Sequence, residues 1–155
     1  MKRTLKKVKI NKPPFFADKK MYCCEGYWDI YRPTKPFDID QIKKFKKIKE
    51  YIPQKFISKD KWDDKNKFIK RVNKIEKELY SIGKIQKFKG LSPSRIEDHV
   101  YIGSGEFYDK NICWPQGYVS YYIDKYNVMP TLKFYNYVIN YKFKSNIKSI
   151  KKSRK

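Results

Sequence analysis

Residues 60–80 read DKWDDKNKFIKRVNKIEKELY and carry a helical pattern. Apolar side chains recur there at spacings close to three and four, on a stripe formed by Trp62, Ile69, Val72, Leu79 and either Ile75 or Glu76. Such a stripe is typical of an amphipathic α-helix that lays one side against a core. Asp63 and Asp64 fall in its first turn, where carboxylates favour the helix dipole. The lysines lie off the stripe, so we expect a helix with a basic outer face.

Residues 38–51 carry a second amphipathic pattern. Its apolar stripe consists of Ile42, Phe45, Ile48 and Ile52, and its opposite face holds Lys43, Lys44, Lys46, Lys47 and Lys49. Asp38 or Asp40 can cap the start of this helix, and Pro53 ends it because proline lacks an amide donor. The helical region is therefore predicted to span 38–80.

Beyond Gly83 the pattern changes to short β-prone runs between glycines and prolines. We predict strands over 80–84, 100–102, 118–123 and 132–143. The last run alternates most regularly, because one face holds Tyr135, Tyr137, Ile139, Tyr141 and Phe143 while the other holds Asn136, Asn140 and Lys142. The element order predicts an α+β fold, with two N-terminal amphipathic helices followed by a small antiparallel sheet.

The charge of the chain limits the classes of function that it suits. The 155 residues suit one domain with basic extensions, and 38 Lys+Arg against 16 Asp+Glu give a formal net charge of +22. That excess is favoured beside a polyanion, which disfavours an ordinary metabolic enzyme. No apolar run approaches the length of a membrane span, so no membrane partner is expected. Ile, Lys, Tyr, Phe and Asn abound and all have A/T-rich codons, so genomic composition is an alternative source of part of the lysine excess.

Both ends of the chain are basic. Residues 1–37 are predicted to form an irregular arm, which prolines interrupt and aromatic residues anchor. Residues 142–155 form a tail with seven basic residues and no acid. Both ends suit nuclear localisation or nucleic-acid contact, and plain solvated termini are the alternative. Phosphate contacts are expected from Lys43, Lys44, Lys47, Lys70, Arg71, Lys74, Lys151, Lys152 and Arg154.

The residues that could carry catalysis are few. His99 is the only histidine, and the turn Glu97-Asp98-His99 could in principle orient its ring for acid–base work, although such a histidine is more often structural. Cys23, Cys24 and Cys113 could join His99 as metal ligands by number, but their spacing matches no zinc pattern. We therefore expect no catalytic residue, no cofactor and no metal site, and the protein is not expected to be an enzyme.

Four tyrosines near many lysines allow two interpretations: Tyr121, Tyr122, Tyr135 and Tyr137. They could form a base-stacking platform of the kind found in single-strand-binding proteins. They could equally be sheet core and cross-strand pairs, which is the interpretation we favour.

Two short motifs occur in the C-terminal half, FYD at 107–109 and WPQGYVS at 114–120. Together they resemble the signature of the FYRN domain, a phenylalanine/tyrosine-rich module of chromatin proteins. LYSIGKI at 79–85 is similar to the module's opening strand. The resemblance covers residues 79–141, and its motif residues are Phe107, Tyr108, Trp114, Pro115, Gly117, Tyr118 and Ser120.

The motif also predicts a local structure. Pro115 and Gly117 are expected to bracket a tight turn. Phe107 and Trp114 are expected to close the core beneath it. In the strand predicted after the turn, the side chains two residues apart would point to one side, and these are Tyr118 and Ser120.

The resemblance implies a nuclear, non-catalytic interaction module in a chromatin-modifying assembly. In that family FYRN and FYRC strands fold together, and we find no FYRC segment in this sequence. A FYRC-containing partner chain is therefore expected to supply the missing strands, unless the N-terminal helices replace them. The basic surfaces would meet DNA or RNA through non-specific phosphate contacts. The alternative is a lineage-specific ribosomal or other RNA-binding structural protein, cytosolic or organellar.

Overall fold

The structure is a computed structural model of the chain and describes residues 23–28 and 52–144. Its elements in chain order are strand β1 (Cys23–Cys24), a 3-10 helix (Pro53–Phe56), helix α1 (Lys65–Ser81), strands β2 (Ile85–Lys87), β3 (Gly105–Asp109) and β4 (Ile112–Pro115), a π-helix (Tyr118–Lys125) and helix α2 (Leu132–Asn140). The predicted helix over 38–51 lies outside the described residues, as do most of the arm 1–37 and the tail 142–155. In the described part of the chain, no helix has the length and apolarity needed to cross a membrane.

Helix α1 confirms the helix predicted over 60–80, although it begins at Lys65. Its buried side consists of residues that are each at most 2% exposed, namely Phe68, Val72, Ile75 and Leu79. Ile75 rather than Glu76 therefore completes the apolar stripe. Trp62 is buried just before the helix, and its indole Nε1 donates to Asp64 Oδ1 at 2.6 Å.

The sheet has the strand order β1-β4-β3-β2. β3 is antiparallel to both of its neighbours, and Phe107 lies opposite Ile85 of β2 and Trp114 of β4. β1 joins β4 in parallel, with Cys24 opposite Cys113. The predicted α+β class is confirmed, and the predicted antiparallel sheet corresponds to β2, β3 and β4, to which β1 adds in parallel. The helices do not precede the sheet as a block, however, because the π-helix and α2 follow β4.

The strand predicted over 132–143 is wrong, since most of this segment forms helix α2. Thr131 caps the helix, because its hydroxyl accepts from the Phe134 amide at 3.2 Å. Phe134 and Val138, four residues apart, are both 0% exposed and form the buried side. The alternation of Tyr135 and Tyr137 indicated a strand, but on a helix these two rings flank the buried side and are half-buried.

The strand predicted over 118–123 is also wrong, because these residues belong to the π-helix. Their buried side chains recur at helical rather than alternating positions, as Tyr118, Val119, Tyr122 and Ile123. The strand predicted over 80–84 is displaced, since α1 and a turn occupy that segment and β2 begins at Ile85. In the strand predicted over 100–102, only Tyr101 is paired, in an isolated β-bridge with Pro93.

The segment between β2 and β3, residues 88–104, forms a hairpin arm. Pro93 and Tyr101 lie opposite each other in it, and the Ser94 amide donates to the Val100 carbonyl at 2.7 Å. The paired residues of such a bridge do not exchange hydrogen bonds themselves, so a proline fits at position 93 without leaving an acceptor unmet.

One aromatic core joins α1, the sheet, the π-helix and α2. Trp114 of β4 is fully buried in it, with its ring 5.2 Å from that of Phe134 and 5.8 Å from that of Phe107. Its indole Nε1 donates to Glu76 Oε1 at 2.9 Å, which ties α1 to the sheet. The outer side of α1 is thereby fixed relative to the rest of the fold.

Candidate nucleic-acid interface

The solvent side of α1 is basic. Its exposed residues are Asn66, Lys67, Lys70, Asn73, Lys74, Lys77, Tyr80 and Ser81, and we call this surface the lysine face. None of these residues is acidic. The lysines recur at spacings of three, four and three, so they cover about 15 Å along the axis at 1.5 Å per residue.

The two glutamates of α1 are engaged elsewhere. Glu76 Oε1 accepts from the Trp114 indole at 2.9 Å, and Glu78 Oε1 accepts from the backbone amide of Lys144 at 2.7 Å. Burial raises the pKa of Glu76, and the hydrogen bond from Trp114 opposes part of that shift. Both carboxylates serve packing contacts, so the exposed charge of the helix is positive.

The lysine face opposes folding through charge repulsion. Like charges three or four residues apart on a helix destabilise it by about 0.2–0.5 kcal/mol per pair. Burying a large apolar side chain contributes roughly 1.5–3 kcal/mol, so the four buried residues of α1 outweigh this cost. A polyanion against the face would relieve the repulsion that the fold tolerates.

Of the residues predicted to contact nucleic acid, the structure brings Lys70 and Lys74 together on the lysine face. The Lys74 ammonium also lies 4.5 Å from the centre of the Phe143 ring, in a cation–π contact. The remaining lysines of the set and its last arginine lie outside the described residues: Lys43, Lys44, Lys47, Lys151, Lys152 and Arg154.

Arg71 is engaged with α2 instead. Its Nε donates to the Val138 carbonyl at 2.6 Å, and its Nη2 donates to the carbonyls of Ile139 at 3.1 Å and Tyr141 at 2.8 Å. These acceptors lie at the C-terminal end of α2, where carbonyls lack partners within the helix. Sequence reasoning could not find this capping role, because it depends on a helix where the sequence indicates a strand.

Lys67, Lys77 and Tyr80 belong to the lysine face but are not among the predicted contacts. The signal that finds them is helical spacing. Lys67 precedes Lys70 by three residues, and Lys77 follows Lys74 by three. Tyr80 follows Lys77 by the same interval.

Three of the FYRN-like motif residues, Phe107, Trp114 and Tyr118, lie in the core. Phe107 and Trp114 are buried in the core, as expected. They also lie opposite each other in β3 and β4 with their rings stacked, which the sequence did not predict. Trp114 and Tyr118 are both 0% exposed. Gly117 has a φ of 86°, and a Cβ there would lie 2.2 Å from Ile102 Cγ2, so only glycine fits this turn.

The remaining motif residues do not form one surface. Tyr118 and Ser120 do not share one side of a strand, because both lie in the π-helix, where Tyr118 is buried and Ser120 is exposed. Tyr108 is half-buried in β3, and its hydroxyl donates to the Gly83 carbonyl at 3.4 Å. Pro115 ends β4, which places it at the turn as predicted.

Glu97 uses its carboxylate for structure. Its Oε2 accepts from the Tyr121 hydroxyl at 2.6 Å and from Lys125 Nζ at 3.0 Å. Hydrogen bonds from Tyr121, Tyr126 and Lys125 lower the pKa of Glu97 to about 2. His99 lies in the same loop of the hairpin arm, exposed and with a φ of 61°. The carboxylate therefore faces the π-helix and is committed to anchoring the loop.

Two of the three cysteines meet between β1 and β4. The Sγ atoms of Cys24 and Cys113 lie 3.2 Å apart, and both side chains are buried. The hydrogen bond to Cys24 and burial raise the pKa of Cys113, which disfavours the thiolate that a metal would require. Within residues 23–28 and 52–144, no group of three His, Cys, Asp or Glu side chains is placed to hold a metal ion.

Comparison with known proteins adds no relative, because the chain matches no family model, no curated protein and no solved structure. The likeness of residues 79–141 to FYRN domains is thus a resemblance of short strings. Among the described residues, the exposed face of α1 carries lysines and no acidic residue.

Proposed function

We propose that this is a non-catalytic nucleic-acid-binding protein that holds the phosphate backbone on the lysine face of α1. The observation that supports the proposal is that the exposed charges on the outer surface of that helix are all positive. Its exposed charges are the lysines at 67, 70, 74 and 77, and its two glutamates are engaged in packing contacts.

The expected binding mode follows from the chemistry of the face. A lysine that neutralises a phosphate releases a condensed counterion, so affinity falls steeply with salt and carries no base specificity. The exposed asparagines of the face, Asn66 and Asn73, add neutral donors for phosphate oxygens. The overall charge of +22 favours the approach of any polyanion.

The use of the ionisable residues supports a non-catalytic protein. Glu97, which could have oriented His99, is bound to Tyr121 and Lys125. Glu25 and Glu76 are bound to donors in the core. These carboxylates serve the fold, and none of them is paired with His99.

The proposal is tested by a matched pair of charge variants of the full chain. Lys67, Lys70 and Lys77 are changed together to glutamine; Lys74 is kept because its ammonium packs on Phe143. The control changes three exposed lysines of other segments, Lys59, Lys110 and Lys133.

The face variant is expected to bind a labelled oligonucleotide at least about tenfold more weakly than wild type, since each lost phosphate contact removes a counterion-release contribution. The control, with the same loss of charge, should bind nearly as wild type. Equal affinities for the two triple variants would refute the proposal.

The setting of this activity is a separate part of the proposal. We propose a nuclear, chromatin-associated complex in which a partner chain, such as a FYRC-containing one, pairs with the FYRN-like half. β2 supports this, because it is an edge of the sheet and, among the described residues, has a neighbour on only one side. The lineage-specific ribosomal alternative accounts for the same basic face.

Purification of the tagged native protein separates the two settings. Co-purifying histone-modifying subunits support the chromatin complex. Stoichiometric ribosomal proteins and rRNA would refute it and support the ribosomal setting, while leaving the lysine face as the nucleic-acid contact.

A further inference from the structure

We infer that the lysine face takes single-stranded rather than duplex nucleic acid, with an unpaired base stacked on the ring of Tyr80. The inference rests on the proposed function and narrows its ligand. It assigns a role to an exposed aromatic residue that the phosphate-binding account leaves unused.

Tyr80 lies where the lysine face ends. It is in the last turn of α1, three residues after Lys77, which places the two side chains side by side on the helix surface. Tyr80 is 62% exposed. An aromatic ring left this open beside a row of cations offers both a phosphate track and a stacking surface.

A second element completes the site. Lys87 of β2 is exposed, and its Nζ lies 5.8 Å from the centre of the Tyr80 ring. The turn between α1 and β2 is held by the Lys84 amide donating to the Leu79 carbonyl at 2.8 Å, and by the Gly83 amide donating to the Tyr80 carbonyl at 3.2 Å. Tyr80 and Lys87 are therefore held in a defined relative position, and Lys87 extends the row of cations past the helix end.

The pairing of an open ring with a row of lysines favours a single strand. Base stacking on aromatic side chains is open to any unpaired base, because every base has a π-face. In a duplex the bases are already stacked on each other, so their π-faces are not open to the Tyr80 ring. A single strand uses both parts of the site, and a duplex uses only the lysines.

The other tyrosines considered as a stacking platform are occupied by packing. The Tyr135 ring stacks on Phe68 with centres 5.4 Å apart, and the Tyr137 ring lies 5.6 Å from that of Trp114. Tyr121 and Tyr122 pack against each other at 5.0 Å. The four rings are thus packed as the core interpretation expected, but on helices rather than in sheet core and cross-strand pairs. Tyr80 is left as the stacking residue of the lysine face.

Tyr101 provides a matched control. It is 61% exposed, nearly the same as Tyr80, but lies on the hairpin arm opposite Pro93. The variants Tyr80→Ala, Tyr80→Phe and Tyr101→Ala are made in the full chain. Their affinities for labelled oligodeoxyuridine, oligouridine and a mixed-sequence duplex are measured by fluorescence anisotropy at one salt concentration.

Tyr80→Ala is expected to weaken binding of both single strands about tenfold and to leave duplex binding within about twofold, in keeping with the loss of one base stack. Tyr80→Phe keeps the ring and should bind as wild type, as should Tyr101→Ala. Tighter wild-type binding of oligouridine than of oligodeoxyuridine, which differ only in the 2′-hydroxyl, would support RNA as the ligand, and the reverse would support DNA.

Wild-type single-strand affinity in Tyr80→Ala would overturn the inference, and so would an equal loss on single strand and duplex. Such a result leaves the proposed function standing if the lysine-face triple variant still loses affinity for both forms. If that triple variant binds both forms like its control, the proposed function fails, and the inference fails with it.

Discussion

Glu25 is a buried carboxyl that joins three segments. Its Oε1 accepts from the Tyr118 hydroxyl at 2.6 Å and from the Thr131 amide at 2.9 Å, and its Oε2 accepts from the Thr131 hydroxyl at 2.6 Å. Burial raises the pKa of Glu25, and the hydrogen bonds from Thr131 and Tyr118 lower it by less. Residues 23–28 are thereby attached to the start of the π-helix and the cap of α2.

The raised pKa gives a pH dependence with a definite sign. The contribution of Glu25 to stability is full below its unfolded pKa, near 4.5, and is lost as the pH rises through the higher folded pKa. Glu25→Gln should therefore gain stability relative to wild type as the pH rises from about 4.5. Denaturant unfolding at a series of pH values measures this difference.

Glu25→Ala is the contrasting variant. It leaves the Tyr118 hydroxyl and the Thr131 amide without their acceptor, so a loss of about 3 kcal/mol in unfolding free energy is expected. A Glu25→Gln variant that loses stability in parallel with Glu25→Ala, at every pH, would show that the charged form is needed and contradict the assignment.

Gly117 makes the turn between β4 and the π-helix. Its φ is 86°, and a Cβ would lie 2.6 Å from the Ile102 carbonyl oxygen as well as against that residue's side chain. Gly117→Ala should therefore lower the unfolding free energy by about 2 kcal/mol or more. Gly83→Ala is the control, because its φ of 74° imposes similar backbone strain but nothing lies within 4 Å of its Cβ. Equal losses in the two variants would rule out the steric contact as the cause.

Helix α2 shows how an element depends on residues far away in sequence. Its start is capped locally by Thr131, but its end is capped by Arg71 of α1 through three carbonyls. The guanidinium donates along two directions in a fixed geometry that an ammonium cannot reproduce.

Arg71→Lys should accordingly lower the unfolding free energy by about 1–2 kcal/mol, because most of these hydrogen bonds are lost while the charge remains. The control is Lys70→Gln, at the adjacent exposed position, which should stay within about 0.5 kcal/mol of wild type. Chemical denaturation gives both values. An Arg71→Lys variant as stable as this control would mean that the cap contributes nothing.

The elements differ in how far their own sequence determines whether they form a helix or a strand. α1 could be predicted because apolar residues recur at a helical period on a long segment. The predicted stripe included the half-buried Ile69 and left out Phe68, which the structure buries. The helices over 118–125 and 132–140 could not be predicted, because short runs rich in tyrosine fit both the helical period and the strand period. Tertiary contacts decide there: the Thr131 cap and the buried Phe134 favour the helix.

The candidate site could be predicted in part for the same reason. The exposed positions of Lys70 and Lys74 could be predicted from the amphipathic pattern of α1. The inward contacts of Glu76 and Glu78 could not be foreseen, because their partners are Trp114 and the backbone of Lys144, distant in the chain. Those two contacts leave the face with positive charge alone.

Across the whole chain, the overall charge and the placement of the lysines have different consequences for binding. A formal charge of +22 attracts any polyanion, wherever the lysines lie. We propose instead that the lysine face is a defined contact. A general attraction would make any three exposed lysines equivalent, whereas a defined contact would not.

The most direct test is therefore the salt dependence of single-strand affinity in the two triple variants. Each phosphate contact contributes about 0.7 to the slope of log K against log salt for a single strand, so changing Lys67, Lys70 and Lys77 to glutamine should reduce the slope by about 2. Changing Lys59, Lys110 and Lys133 should leave it near the wild-type value. Equal slopes for the two variants would contradict a defined interface on α1.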